Sequence, residues 1–248
     1  MLTLDTVYKA SYALKHIIRK TDLIYAPHFE CDNDVWLKTE NLQITGSFKV
    51  RGAYYKISTL SEDERSRGVI ACSAGNHAQG VALASRETGV KSTIYIPSSA
   101  PISKVEATKR LGAEVVLVDG VYDDAYAEAC KAVEETGAVF VHPFDDEEVI
   151  AGQGTIGLEL MDEMPELDAV VVPIGGGGLA SGIAFTIKQL NPNCKVYGVQ
   201  AEGAPSMFNA VKQGAMTGLD RVSTFADGIA VKTPGDVTYA MTKQFVDD

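Results

Sequence analysis

Asp168-Ala169-Val170-Val171-Val172-Pro173-Ile174-Gly175-Gly176-Gly177-Gly178-Leu179-Ala180-Ser181-Gly182 reads as a strand, a glycine turn and a helix in immediate succession. The strand is a near-continuous apolar run. Such runs suit a sheet buried on both faces, hence parallel strands joined by helix crossovers. Four successive glycines cost conformational entropy on folding. A merely tight turn explains one or two of them. The simplest explanation of four is a row of backbone N–H groups wrapped around a phosphate at a helix N-terminus.

Outward from this stretch the chain alternates strand and helix. Strands are predicted over 35–38, 68–72, 91–97, 114–119, 138–141, 168–174 and 195–200. Helices are predicted over 47–60, 77–87, 103–111, 123–135, 154–164 and 179–190, the third ending just before Gly112, where a helix commonly stops. The fold class is therefore α/β with open, mostly parallel sheets flanked by helices.

In such sheets, ligands bind at the carboxyl ends of the strands. Two further stretches bear on that site. Ser73-Ala74-Gly75-Asn76-His77-Ala78-Gln79-Gly80 follows a short buried strand and opens a helix, so its free N–H groups suit an anion such as a carboxylate. The bland alternative is a helix capped by Ser73 or Asn76. Thr45-Gly46-Ser47-Phe48-Lys49-Val50-Arg51-Gly52 sets a lysine between an aromatic and a β-branched residue. Most lysines are solvated stems. A desolvated one gives up its proton more easily and, as a neutral amine, attacks an aldehyde.

The phosphate is not that of a nucleoside triphosphate, because Gly-Lys-Ser/Thr is absent from the end of the turn. A dinucleotide remains open: Gly175, Gly177 and Ala180 fit G-x-G-x-x-A, with Glu202 about twenty residues on. That reading leaves Lys49 and Asn76 without a role. A small phosphorylated aldehyde uses all three stretches, with phosphate on the glycines, the aldehyde carbon on Lys49 and a ring oxygen on Asn76.

Composition narrows the partners. The chain has 248 residues, 46% of them hydrophobic, enough for a substantial core. A net charge of −11 disfavours nucleic-acid polymers and acidic membrane surfaces. Cys31, Cys72, Cys130 and Cys194 are widely spaced and show no metal-finger pattern. They read as reduced thiols of a cytoplasmic protein. Residues 4–19 place Leu4, Val7, Tyr8, Leu14, Ile17 and Ile18 roughly on one helical face, interrupted by Lys9, Lys15 and His16, which is not a targeting signal.

Four motifs together carry a resemblance: residues 46–53, 73–80, Gly152-Gln153-Gly154-Thr155-Ile156-Gly157-Leu158-Glu159, and 173–179. On these the chain, from about residue 15 onward, resembles the threonine dehydratase (threonine ammonia-lyase) family. Its members are pyridoxal-phosphate enzymes of the tryptophan-synthase-β fold type, and the short, catabolic form is the most similar. The resemblance implies that Lys49 attaches the cofactor and later takes the substrate's α-proton. It implies that Phe48 packs on the cofactor ring and that Asn76 faces the ring oxygen. Gly175, Gly176, Gly177, Gly178 and Leu179 would bind the phosphate. The turn Ser73, Ala74, Gly75, Asn76 and His77 would hold the carboxylate of a small amino-acid substrate.

The same resemblance implies a small domain over 47–146 inserted into a large one formed by 1–46 and 147–248, with a further C-terminal part missing after Phe245-Val246-Asp247-Asp248. It also implies a homodimer or homotetramer. The expected reaction is deamination of L-threonine to 2-oxobutanoate and ammonia, and of L-serine to pyruvate. A serine racemase activity and a non-catalytic cofactor-binding fragment are the alternatives. Serine racemases carry Ser-Ser-Gly-Asn-His, and their second serine serves as an acid; here that position is Ala74, which favours elimination. No divalent metal site is expected, because the corresponding strand end reads Gln200-Ala201-Glu202.

Overall fold

The structure, a computed structural model, describes residues 2–29 and 32–248, so Cys31 lies outside the described residues. The chain opens with α1 (Leu4–Leu14), whose N-terminus is closed by the Thr3 hydroxyl accepting from Thr6 N–H. It buries Val7, Ala10 and Leu14, while Tyr8 on the expected apolar face is half exposed. An antiparallel hairpin, β1 (Leu23–Tyr25) with β2 (Trp36–Lys38), precedes α2 (Lys49–Ser58). Next come α3 (Glu62–Arg67), started by a Ser61–Glu64 capping box, then β3 (Val69–Cys72) and α4 (Asn76–Thr88). The chain continues through β4 (Ser92–Pro97), α5 (Ile102–Arg110), β5 (Glu114–Val118), α6 (Tyr122–Thr136) and β6 (Val139–Phe140). It finishes with α7 (Glu147–Glu163), β7 (Ala169–Pro173), α8 (Gly178–Leu190), β8 (Lys195–Val199), α9 (Ser206–Gln213) and α10 (Asp236–Phe245).

β5-β4-β3-β6 form one wholly parallel sheet, and β7-β8 a second parallel pair. All four residues of β3 are buried, as an apolar run inside a helix-flanked sheet requires. The run at 169–172 behaves differently. Val172 is buried, but Val171 is 66% exposed, and Tyr197 and Val199 of β8 are also exposed. The expectation that this strand is covered on both faces is therefore corrected: among the described residues, α8 packs on one face only.

α7 begins at Glu147, seven residues before the predicted start, because the Asp146 carboxylate accepts from the N–H groups of Glu148 and Val149. The Gly152–Gly157 motif thereby lies inside a helix, and its glycines serve packing. A Cβ on Gly152 would lie 2.5 Å from Gly52 Cα, and one on Gly182 2.4 Å from the Ile150 carbonyl oxygen. The backbones of α2, α7 and α8 thus touch directly. Gly152→Ala is expected to destabilise the chain by about 1–3 kcal/mol, since the obstructing atoms are backbone and cannot swing aside. Urea unfolding measures this; a loss below about 0.5 kcal/mol, the level of an ordinary surface change, speaks against such tight packing. Among the described residues no helix is long and apolar enough to cross a membrane.

Candidate functional site

Three strand-to-helix connections meet at the carboxyl ends of β3, β6 and β7. The first leads from β3 into α4. The bland alternative, a cap by Ser73 or Asn76, does not hold: Gly75 occupies the cap position, Ser73 Oγ accepts from Gly75 N–H at 3.1 Å, and Asn76 begins the helix with an exposed side chain. The opening N–H groups of α4 are left uncovered, and its first turn carries no acid. The His77 ring turns inward instead. It is 2% exposed, and Nε2–H donates to the Val141 carbonyl at 2.8 Å. Burial, reinforced by the nearby Lys49 charge, pushes the imidazole down to about 3, so it is neutral. His77 therefore presents its amide, not its ring, to the turn.

One helical turn beyond Asn76, Gly80 sits against the backbone of Lys49, where a Cβ would lie 3.0 Å from the Lys49 carbonyl carbon. That close approach brings the α4 N-terminus beside α2, whose first residue is Lys49. The Lys49 residue keeps some surface open, yet its amine is enclosed by protein. Nζ donates to the Pro143 carbonyl at 2.6 Å and lies 5.4 Å from the centre of the Phe48 ring. Burial alone lowers the amine from 10.5 to about 8.

The connection after β6, His142-Pro143-Phe144-Asp145, joins this lysine to the glycine turn. Pro143 receives the amine, and the next residue, Phe144, lies over the turn. A Cβ on Gly176 would penetrate the Phe144 ring at 2.3 Å, and one on Gly178 would meet the Phe144 carbonyl oxygen at 2.8 Å. Gly177 has φ +99°, and Gly175 abuts Ile229. Each of the four glycines thus has a packing or backbone reason of its own, so glycine count alone is not a phosphate signature. The ligand argument moves to the amides. α8 starts without a side-chain cap or an acid in its first turn, and the Ser181 N–H, bonded to the Gly177 carbonyl at 2.8 Å, opens its backbone ladder. The turns before it, through Leu179, remain a natural anion site.

Sequence reading passed over the 142–145 connection. Its position at the end of a parallel strand was the available signal. Reading also passed over Arg51, which is fully buried two residues from Lys49. Its guanidinium donates to Glu40 at 2.8 and 2.9 Å, to Glu159 at 2.6 and 3.0 Å and to Thr155 at 3.0 Å. These bonds tie the start of α2 to α7. Cys72, immediately before the Ser73 turn, is buried, and that burial pushes its thiol up to about 12, which leaves it unreactive.

Comparison with known proteins bears on the reaction. Residues 14–248 match the family described as pyridoxal-phosphate dependent enzyme. The L-threonine ammonia-lyase of Thermotoga maritima is 52% identical over 250 residues, covering all of this chain and 62% of that protein. The catabolic L-threonine dehydratase TdcB of Escherichia coli is 45% identical, covering all of this chain and 76% of that protein. Among solved structures, the processed threonine deaminase isoform 2 of Solanum lycopersicum superimposes with a TM-score of 0.93 at 38% identity, covering 98% of this chain and 69% of that one. Maize serine racemase gives 0.96 at 34% identity, covering 100% and 75%. The chain thus spans about three fifths to three quarters of the length of these relatives.

Proposed function

This chain belongs to the pyridoxal-phosphate-dependent enzyme family, and from that premise we propose that it removes ammonia from L-threonine by α,β-elimination, yielding 2-oxobutanoate, and acts likewise on L-serine. The carrying observation is the enclosed Lys49 amine, bonded through Pro143 to the segment that covers the glycine turn. The residues present fit the cofactor. The desolvated Lys49 amine would receive its aldehyde, and the uncapped, acid-free N-terminus of α8 would receive its phosphate. When bound, the cofactor supplies a conjugated ring that delocalises negative charge from the substrate's α-carbon.

The chain's own residues do the rest. Lys49 would attach the cofactor through Nζ and, once released from it, would hold the substrate's α-proton there; an amine near 8 is far better suited to that than one near 10.5. Gly175 to Leu179 would bind the phosphate through backbone N–H groups. Phe48 would pack on the ring and exclude water, and Asn76 would face the ring oxygen. The amides of the turn Ser73, Ala74, Gly75, Asn76 and His77 hold the substrate carboxylate. Ala74 has no exchangeable proton, which supports elimination over racemisation.

The same reading makes 47–146 a small domain set into a large one. Separate buried clusters support this, one around Ala71, Val81 and Ile94 and the other around Val172, Ile183 and Val196. It also includes a cytoplasmic setting, in keeping with the free thiols of Cys72, Cys130 and Cys194, and a homodimer or homotetramer.

Borohydride reduction of cofactor-loaded protein, followed by peptide mapping, is expected to leave the pyridoxyl group on Lys49. L-threonine should release 2-oxobutanoate in a parallel assay. Attachment at another lysine, or attachment without ketoacid, overturns the proposal.

A further inference from the structure

The Gly176–Gly177 peptide carries no side chain that could hold its orientation. In a trans peptide the carbonyl and the following N–H point to opposite sides of one plane. Between two glycines both orientations are sterically open, so such a peptide flips easily unless something grips it. Thr238, in the first turn of α10, supplies a grip. Its side chain is wholly buried, and Oγ1 lies 2.6 Å from the Gly176 carbonyl oxygen. Thr238 Oγ1 in turn accepts from Gly235 N–H at 3.1 Å. Its single proton therefore goes to Gly176, since the competing Gly235 carbonyl stands farther off at 3.2 Å. The Thr238 carbonyl in turn accepts from the Ser181 hydroxyl of α8 at 3.3 Å.

Thr238 is itself held from the lysine side of the site. Asp145 accepts from Thr238 N–H at 3.0 Å with Oδ1 and from Asp236 N–H at 3.0 Å with Oδ2. It thereby caps α10 across more than ninety residues of sequence. Asp145 follows Phe144, which covers Gly176 and Gly178, and Pro143, which receives Lys49. One short segment thus fixes both the amine and the helix that orients the glycine turn.

We infer that Thr238 is a positioning residue for the anion-binding turn: its hydroxyl holds the Gly176 carbonyl inward against α10, which keeps the Gly177 N–H turned to the opposite side, toward the ligand, and Asp145 holds Thr238 in place. This rests on the reading that the turn binds the cofactor's phosphate. The chain therefore discriminates phosphorylated from unphosphorylated cofactor partly through a side chain that never touches it.

The test measures dissociation constants of pyridoxal 5′-phosphate and of pyridoxal, by absorbance titration of cofactor-free protein, for the wild type, Thr238→Val and Thr238→Ser. The wild type should bind the phosphorylated probe more tightly. Thr238→Val keeps the shape but loses the donor. It is expected to weaken the phosphorylated probe by about 10-fold, the weight of one hydrogen bond to a charged site, and to leave pyridoxal unchanged. Thr238→Ser should restore wild-type behaviour. Should Thr238→Val not fold, Asp145→Asn gives the same comparison, with a smaller loss confined to the phosphorylated probe. An unchanged ratio of the two constants in these variants overturns the inference while leaving the phosphate reading intact. A wild type that does not prefer the phosphorylated probe sinks both.

Discussion

Lys49→Met is expected to abolish turnover and, at the same time, to make the cofactor-free protein more stable near neutral pH. The first effect follows from the role proposed for Lys49, as both the attachment point and the proton acceptor; the acid–base part alone is worth up to about 10⁴-fold. The second follows from linkage. The folded amine titrates at about 8 and an ordinary lysine at 10.5, with burial as the cause. Between those values the unfolded chain binds more protons than the folded one, so stability rises with pH across that window. Below about 8 the whole penalty is present, amounting to about 3 kcal/mol for a shift of this size. Methionine fills similar space without charge. Urea unfolding of both proteins at pH 7 and above pH 10 should therefore show a methionine advantage that shrinks as pH rises. An advantage of the same size at both pH values shows that the amine is not desolvated in the folded state.

Arg51→Met is expected to have the opposite consequence, a loss of about 3–5 kcal/mol, because it strands two carboxylates in a largely buried place. Glu40 would keep the Thr21 hydroxyl at 2.6 Å, and Glu159 would keep Lys38 at 2.8 Å, but both lose their guanidinium. Arg51→Lys should recover little, since one ammonium cannot reproduce a fork that bonds two carboxylates at once. Burial opposes the charge on Glu159, yet its bonds to Arg51 and Lys38 hold it below the usual glutamate value. That contribution is present above the unfolded pKa of 4.5 and is lost as pH falls through the lower folded value. The wild type should therefore lose stability in acid more steeply than the variant. A variant within 1 kcal/mol of the wild type at pH 7 contradicts a stabilising role for the network.

These two predictions concern residues two apart in one helix, and both are cations in the sequence. Nothing local distinguishes them. The strand-to-helix order, the parallel sheets and the two glycine-bearing turns after β3 and β7 were legible because apolar runs, glycines and periodicity are local signals. Some element boundaries were not. α7 starts early because Asp146 caps it, and α3, α9 and α10 were not predicted at all. The glycines at 152, 154 and 157 belong to a conspicuous motif, yet their purpose, close packing of α7 on its neighbouring helices, is visible only once the helices are assembled.

The sequence by itself determined the α/β class, the glycine turn between a strand and a helix, and a lysine in company unsuited to a solvated surface. Only the tertiary structure decided how firmly each cation holds its proton. Arg51 meets Glu40 and Glu159 from distant parts of the chain and is held as an ion, while the Lys49 amine is enclosed beside a carbonyl and an aromatic ring with no carboxylate partner among the described residues, and burial loosens its proton. The reason is physical. Backbone preference is written in neighbouring residues, but the free energy of a charge depends on every dipole and ion that folding brings near it.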